Sequence, residues 1–131
     1  MTCDSPYCLI ADDNWLIRHS LIRTMRALSR GCCIFLEASD GAEAVSLART
    51  HAPHLVLAII DEDMPIIAGT HVAEQIKLFC HDAEVVIFSG SELNREQLKA
   101  QGIHYFHKND EVGGLMHFCE GVLYKIALAI D

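Results

Sequence analysis

Leu55-Val56-Leu57-Ala58-Ile59-Ile60 is the most apolar run in this chain, and it does more than any other stretch to limit the fold. It carries no charge and shows no polar alternation, the pattern of a strand buried on both faces of a parallel sheet. Asp61-Glu62-Asp63 follows at once, then Met64-Pro65 and Gly69. A carboxylate at the C-terminal end of a central parallel strand lies where open α/β sheets bind their ligands. An aspartate there is equally an ordinary turn or capping residue, so the meaning of Asp61 depends on what the other strand ends carry.

The rest of the chain alternates strand and helix signals around that run. Tyr7-Cys8-Leu9-Ile10-Ala11 reads as a first strand, ended by Asp12-Asp13-Asn14, with Asp13 or Asn14 as the cap of the next helix. From Trp15 to about Ser29, Leu16, Ile17, Leu21, Met25 and Leu28 recur at helical spacing, and Gly31 is the stop. Cys32 to Leu36 reads as the second strand. Asp40 and Glu43 have the spacing of a capping box for a helix reaching Thr50, and Pro53 closes the link to the central strand. A helix over Gly69–Phe79 presents Val72, Ile76 and Phe79; a strand over Val85–Phe88 ends in Ser89-Gly90-Ser91. A short helix from about Asn94 to Gln101 is stopped by Gly102. His104–His107 forms a fifth strand, and a last helix starts near Val112 with Leu115, Phe118, Val122 and Ile126 as its stripe. Five alternations predict an α/β fold, a doubly wound five-stranded parallel sheet with helices on both faces and all strand ends on one edge. With 131 residues and no linker or repeat, a single domain over residues 1–131 is expected.

Composition removes several function classes. A net charge of -8 argues against direct nucleic-acid binding and fits a cation site or a basic protein partner. No stretch approaches the ~20 apolar residues that span a bilayer, and the first residues lack a secretion signal. Cys3, Cys8, Cys32, Cys33, Cys80 and Cys119 form no C-x-x-C pair, so buried, reduced cysteines in a cytoplasmic protein are expected. His104 with His107, and His117 with Cys119, do not repeat a zinc-type spacing.

The predicted topology brings Asp12, Asp13, Asp61, Ser89 and Lys108 to one sheet edge. Three carboxylates in one place repel one another and force one toward its protonated form unless a cation is present. Carboxylates, a backbone carbonyl and waters suit Mg²⁺. A metal, a lysine and a hydroxyl around an aspartate are the parts of phosphoryl transfer, with aspartate as a nucleophile that yields an acyl phosphate.

These residues resemble the receiver domain of two-component response regulators. The resemblance runs from about Tyr7 to Tyr124, carried by Leu9-Ile10-Ala11-Asp12-Asp13-Asn14, by Asp61-Glu62-Asp63-Met64-Pro65 with Gly69, by Ser89-Gly90, and by Tyr105-Phe106-His107-Lys108. It implies a flavodoxin-like fold of receiver type. It makes Asp61 the phosphoacceptor, with Mg²⁺ held by Asp12, Asp13, Asp61 and the Asp63 backbone carbonyl. Ser89 and Lys108 would contact the phosphoryl oxygens. Ser89 and Tyr105 would act as the switch, and Asp63 and Ser91 would tune phosphate lifetime. The implied partners are a histidine kinase or histidine phosphotransfer protein upstream and a downstream protein on the face of the fourth helix, fifth strand and last helix. The protein would be a monomer or a phosphorylation-dependent dimer, and no enzyme beyond its own phosphorylation and dephosphorylation.

Three positions depart from the family pattern. Asn109 follows Lys108 where many members have proline, which looks like the subgroup usually joined to a helix-turn-helix domain. Ile66-Ile67-Ala68 makes the loop before Gly69 unusually apolar. The segment from Ser89 to Tyr105 is about a turn short, which should shorten the fourth helix. Two rivals follow the same residues: a receiver-shaped interaction module that is never phosphorylated, and a haloacid-dehalogenase-like phosphatase. The second places its acidic metal-binding pair after the lysine, whereas here the pair comes first.

Overall fold

The central run forms strand β3 (Leu55–Ile60), flanked by β1 (Tyr7–Ala11) and β4 (Glu84–Ser89). This computed structural model describes residues 5–129. Outside those three strands lie β2 (Ile34–Ala38) and β5 (Ile103–His107), giving the all-parallel order β2-β1-β3-β4-β5. The helices are α1 (Trp15–Ser29), α2 (Gly41–Thr50), α3 (Gly69–Phe79), α4 (Arg95–Ala100) and α5 (Val112–Ala129), with a short 3-10 turn over Ala52–His54.

Strand alternation splits the core into two layers. Leu9, Ala11, Ala58, Ile60, Val85 and Ile87 meet α2, α3 and α4 through Ala44, Ala48, Val72, Ala73, Ile76 and Leu98. Cys8, Ile10, Leu57, Ile59, Val86 and Phe88 meet α1 and α5 through Leu21, Ile22, Met25, Leu115, Cys119 and Leu123. Both faces of β1, β3 and β4 are therefore covered, which explains their unbroken apolar sequence. The register slips once, between Tyr7 and Cys8, which face Leu55 and Leu57 respectively. Val56 is skipped there, and Leu55 falls into the same layer as Ala58.

Several sequence expectations shift by a residue or a face. The second strand starts at Ile34 rather than Cys32. Arg30 already takes the left-handed conformation at φ 53, Gly31 follows at φ 79, and the Cys32 N–H bonds back to the Ser29 carbonyl. That turn uses up the two cysteines before the ladder can begin, and it makes Arg30, not Gly31, the first residue to break α1. Leu16 was expected on the buried stripe of α1 but is 60% exposed, while Ile22 is buried. Leu16 precedes Leu21 by five residues, about 140° off its face at about 100° per residue. On α5 the fully buried stripe is Leu115, Cys119 and Leu123, with Phe118, Val122 and Ile126 only partly buried beside it. Cysteine behaves there as a small apolar residue at four-residue spacing.

Among the described residues, α5 is the one helix long and apolar enough to cross a membrane, which the sequence reading did not anticipate. Its buried stripe is spent on the sheet and α1. Cys8, Cys80 and Cys119 are buried and Cys32 and Cys33 half-buried, all as free thiols, while Cys3 lies outside the described residues. The short α4 has six residues.

Candidate functional site

The strand order reverses between β1 and β3, and the register sets Ala11 beside Ile60. The next residues, Asp12 and Asp61, therefore leave the sheet side by side, at the point where open α/β sheets place ligands. Backbone bonds fix them: the Asp61 N–H donates to the Ala11 carbonyl at 2.9 Å, and the Asp12 N–H to the Ala38 carbonyl at 3.0 Å. The Lys108 N–H donates to the Ser89 carbonyl at 3.0 Å, which ties the ends of β4 and β5 together. Asn14, not Asp13, caps α1, accepting from the N–H groups of Leu16 and Ile17. Asp13 is thereby free of capping duty and is exposed.

Asp12 and Asp61 are 2% and 5% exposed, yet each carries a carboxylate. Oxygens of Asp12, Asp13 and Asp61 all lie within 4.8 Å of one another. Lys108 Nζ donates to Asp12 Oδ2 at 2.9 Å and sits 3.3 Å from Asp61 Oδ1. The second contact is an ion pair without hydrogen-bond alignment, so Asp61 Oδ1 is buried with no hydrogen bond. Burial, and then the charge of Asp12, push the Asp61 carboxyl above the usual carboxylate range; Lys108 and the Ser89 hydroxyl only partly offset them. Burial opposes the charge on Lys108, but Asp12 and Asp61 more than compensate and raise its ammonium pKa. The donor set is hard carboxylate oxygen throughout, one atom of it lacks a hydrogen-bond partner, and its charge repels itself. Those features fit a small divalent cation such as Mg²⁺.

A pH dependence follows. The folded-state pKa of Asp61 is raised. Its contribution to stability is therefore fully present below the ordinary carboxylate range and is lost as pH rises through the folded value. In metal-free protein, Asp61→Asn is expected to flatten that decline and to raise stability at pH 7 by about 1 kcal/mol. Urea unfolding at pH 4 to 8 checks it; an unchanged pH profile would contradict the electrostatic reading.

The loop after Asp61 is organised by a different set of bonds. The Glu62 carboxylate accepts from Thr70 N–H at 2.7 Å and Thr70 Oγ1 at 3.3 Å, which starts α3 without a capping side chain at Ala68. Asp63 is exposed, and its Oδ2 accepts from Ser91 Oγ at 2.5 Å and, more weakly, from Ser89 Oγ at 3.5 Å. The Tyr105 hydroxyl donates to the Ser91 carbonyl at 2.5 Å, and Tyr105 is buried. Ser89, Ser91, Asp63 and Tyr105 thus form one connected group at the ends of β3, β4 and β5.

Ile66 is 76% exposed and sits at φ 75, in the left-handed region. A β-branched residue there is a genuine outlier, at a cost of about 1–2 kcal/mol for an L-residue. Ile66→Gly removes that strain but adds unfolded-state entropy, so a net gain of about 0.5–1 kcal/mol is expected. A lower urea midpoint for the variant would refute the strain.

Three side chains with clear roles were not singled out from sequence. Arg18 donates from Nη1 to the Asp12 carbonyl at 2.8 Å and from Nε to Glu37 at 2.8 Å, bracing the acidic turn against β2. Its signal was positional, an arginine one turn into the helix that follows the acidic pair. Glu62 looked like part of an acidic run, although Thr70 stands at the helix start it would cap. Arg95 donates to the Tyr105 carbonyl at 2.6 Å, stacks over the Tyr105 ring, and pairs with Glu111. No spacing rule links those three elements before the fold is known.

Residues 8–116 match the response regulator receiver domain family. The transcriptional regulatory protein PdtaR of Mycobacterium tuberculosis (strain H37Rv) is 36% identical over 110 residues, covering 82% of this chain and 52% of its own length. The chain thus spans about half the length of that relative. A response regulator receiver domain protein from Clostridium thermocellum shares the fold with TM-score 0.78 and 20% identity, over 95% of this chain and 98% of that one. The CheX-CheY-BeF3-Mg+2 complex from Borrelia burgdorferi matches with TM-score 0.75 and 22% identity, over 89% and 88%. On the family match, on the five-stranded flavodoxin-like sheet and on the cluster at its β1/β3 edge, this chain belongs to the receiver domains of two-component response regulators.

Proposed function

We propose that the chain accepts a phosphoryl group on Asp61 from a partner phosphohistidine, and that the resulting aspartyl phosphate switches a protein-binding face. The observation that carries this is Asp61 Oδ1: buried, without a hydrogen bond, and beside both an acidic pair and a lysine. A carboxylate oxygen kept free of hydrogen bonds at the mouth of a sheet is available as a nucleophile. In the transfer, that oxygen bonds to phosphorus as the bond from phosphorus to the histidine nitrogen breaks. Asp12, Asp13, Asp61 and the Asp63 carbonyl are the residues that would hold Mg²⁺, which supplies positive charge to the phosphoryl oxygens when bound. Lys108 would move from Asp12 toward the new anion, and the Ser89 hydroxyl would leave Asp63 to donate to it. With Ser89 displaced, the Ser91 carbonyl that holds Tyr105 shifts too, which gives the two-state face of α4, β5 and α5 a physical trigger. Asp63 and Ser91, bonded to each other at the rim, flank the path of hydrolytic water and tune the lifetime of the phosphate.

For the upstream partner, a histidine kinase or histidine phosphotransfer protein, support comes from a groove of about 510 Å³ beside Lys108. Leu16, Ile17, Thr24, Val112 and Met116 line it between α1 and α5, and an amphipathic helix fits such a surface. A downstream protein, a monomeric state or a phosphorylation-dependent dimer, and a cytoplasmic setting complete the reading. The family match weighs against the haloacid-dehalogenase-like alternative. The protein acts in this reading as a signalling component whose only chemistry is on itself.

Metal binding has a local reporter. Trp15 is the only tryptophan in the chain and follows Asp13 by two residues. Mg²⁺ titration of the protein should change Trp15 emission saturably, and Asp13→Asn should weaken the apparent affinity about tenfold or more, a loss of at least about 1.4 kcal/mol. An unchanged affinity in Asp13→Asn would contradict the ligand assignment.

A further inference from the structure

A second group of reactive side chains lies at the other end of the sheet, away from Asp61. Cys32 and Cys33 form the turn between α1 and β2, with their sulfurs 3.9 Å apart and both side chains half-buried. Cys33 packs into the layer that contains Cys8 on β1 and Cys119 on α5, both fully buried. Four thiols thus meet in one corner, two reachable from solvent and two sealed behind them. We propose that Cys33 is a hydroperoxide-reactive thiol and that Cys32 resolves its oxidised form into a disulfide. Nothing in the phosphoacceptor reading uses these residues, and the proposal does not depend on it.

The electrostatics point the same way. A hydrogen bond from the Cys8 thiol, joined by a weaker one from Cys32, lowers the Cys33 thiol to about 7 against the opposing effect of burial. Cys8 is pushed far up, first by that hydrogen bond and then by burial, so it remains a protonated donor. Burial raises Cys32 and Cys119 as well, which leaves Cys33 as the one member of the corner that ionises readily near neutral pH. The thiolate is the nucleophile toward peroxides, and sensor thiols of this kind sit next to a resolving cysteine. Cys32, half-exposed at 3.9 Å, takes the resolving role because the water released there can leave to solvent, whereas Cys8, although beside Cys33, is fully sealed and held protonated.

The chemistry balances with a hydroperoxide as the only oxidant. The Cys33 sulfur attacks one peroxide oxygen, the O–O bond breaks, an alcohol or water leaves with a proton, and Cys33 becomes a sulfenic acid. The Cys32 sulfur then displaces that hydroxyl, water departs with the Cys32 proton, and an S–S bond forms. Adjacent Cα atoms stand about 3.8 Å apart, below the roughly 4.4–6.8 Å common for disulfides, so the product is strained and readily reduced by a thiol. That suits a reversible modification.

The test uses the full chain with Cys3→Ser in every arm, which removes the one cysteine outside the described residues. At pH 7, hydrogen peroxide should oxidise the Cys32-Cys33 pair, seen as a peptide two hydrogens lighter, about tenfold or more faster than any thiol reacts in Cys33→Ser. Cys32→Ser should stop at a Cys33 sulfenic acid that dimedone traps. Iodoacetamide alkylation of Cys33 should rise with pH around a midpoint near 7, and circular dichroism should show each variant folded. Equal peroxide rates with and without Cys33, an alkylation midpoint at or above the ordinary thiol value, or a disulfide joining Cys33 to Cys8 would overturn the proposal. Cys33→Ala serves as the second removal variant if the serine disturbs the apolar layer.

Discussion

Asp61→Asn is expected to abolish incorporation of phosphate from radiolabelled acetyl phosphate, with the wild-type label dependent on Mg²⁺. An amide oxygen is a far poorer nucleophile than a carboxylate and cannot yield a stable acyl phosphate, so the effect is a loss of signal and not a slower rate. The fold should survive, because burial and repulsion by Asp12 at Asp61 outweigh what its ion pair with Lys108 returns, and Oδ1 has no hydrogen bond to lose. Labelling that persists in a folded Asp61→Asn variant would move the acceptor to another residue.

Gly69→Ala should be among the most damaging single substitutions in the chain. A Cβ built on Gly69 would stand 2.1 Å from the Asp61 carbonyl oxygen and 2.8 Å from the Glu62 Cα. Both are backbone atoms held by the Gly69 N–H bond to Glu62 and the strand end itself, so neither can move aside cheaply. A cost of about 3 kcal/mol or more is expected, together with weakened Mg²⁺ binding, since the loop that would move carries Asp61 to Asp63. Gly121→Ala is the control. Its Cβ would meet nothing within 4 Å on the outer side of α5, and alanine's better helix propensity should stabilise the protein by up to about 1 kcal/mol. Equal urea midpoints for the two variants would show that the close approach at Gly69 is not as tight as the geometry implies.

What sequence could reveal was set by range. Buried strands announce themselves through unbroken apolar runs, so β1 and β3 were legible to the residue, and the site aspartates followed because they terminate those runs. β2 was misplaced by two residues because an edge strand, half-exposed with Ile34 and Glu37 outward, carries a weaker pattern and because a left-handed arginine cannot be read from composition. The capping box at α2 formed with one difference: Glu43 reaches the N–H of Ser39, one residue before the cap. Contacts between distant segments stayed hidden. The bonds joining Asp63, Ser91 and Tyr105, and the Arg95 clamp over Tyr105, link three loops that only the folded sheet brings together. The left-handed Ile66 was equally invisible, since nothing in its side chain favours that conformation.

The binding of beryllofluoride, a stable mimic of the phosphoryl group, puts the central claim to its most direct test. Amide chemical shifts of the isotope-labelled protein should change at Asp61, Ser89, Tyr105 and Lys108 when beryllofluoride and Mg²⁺ are added together, and should not do so with either alone or in Asp61→Asn. Shifts that appear without Mg²⁺, or that persist when Asp61 is replaced, would contradict a single magnesium-assisted pocket built around that carboxylate.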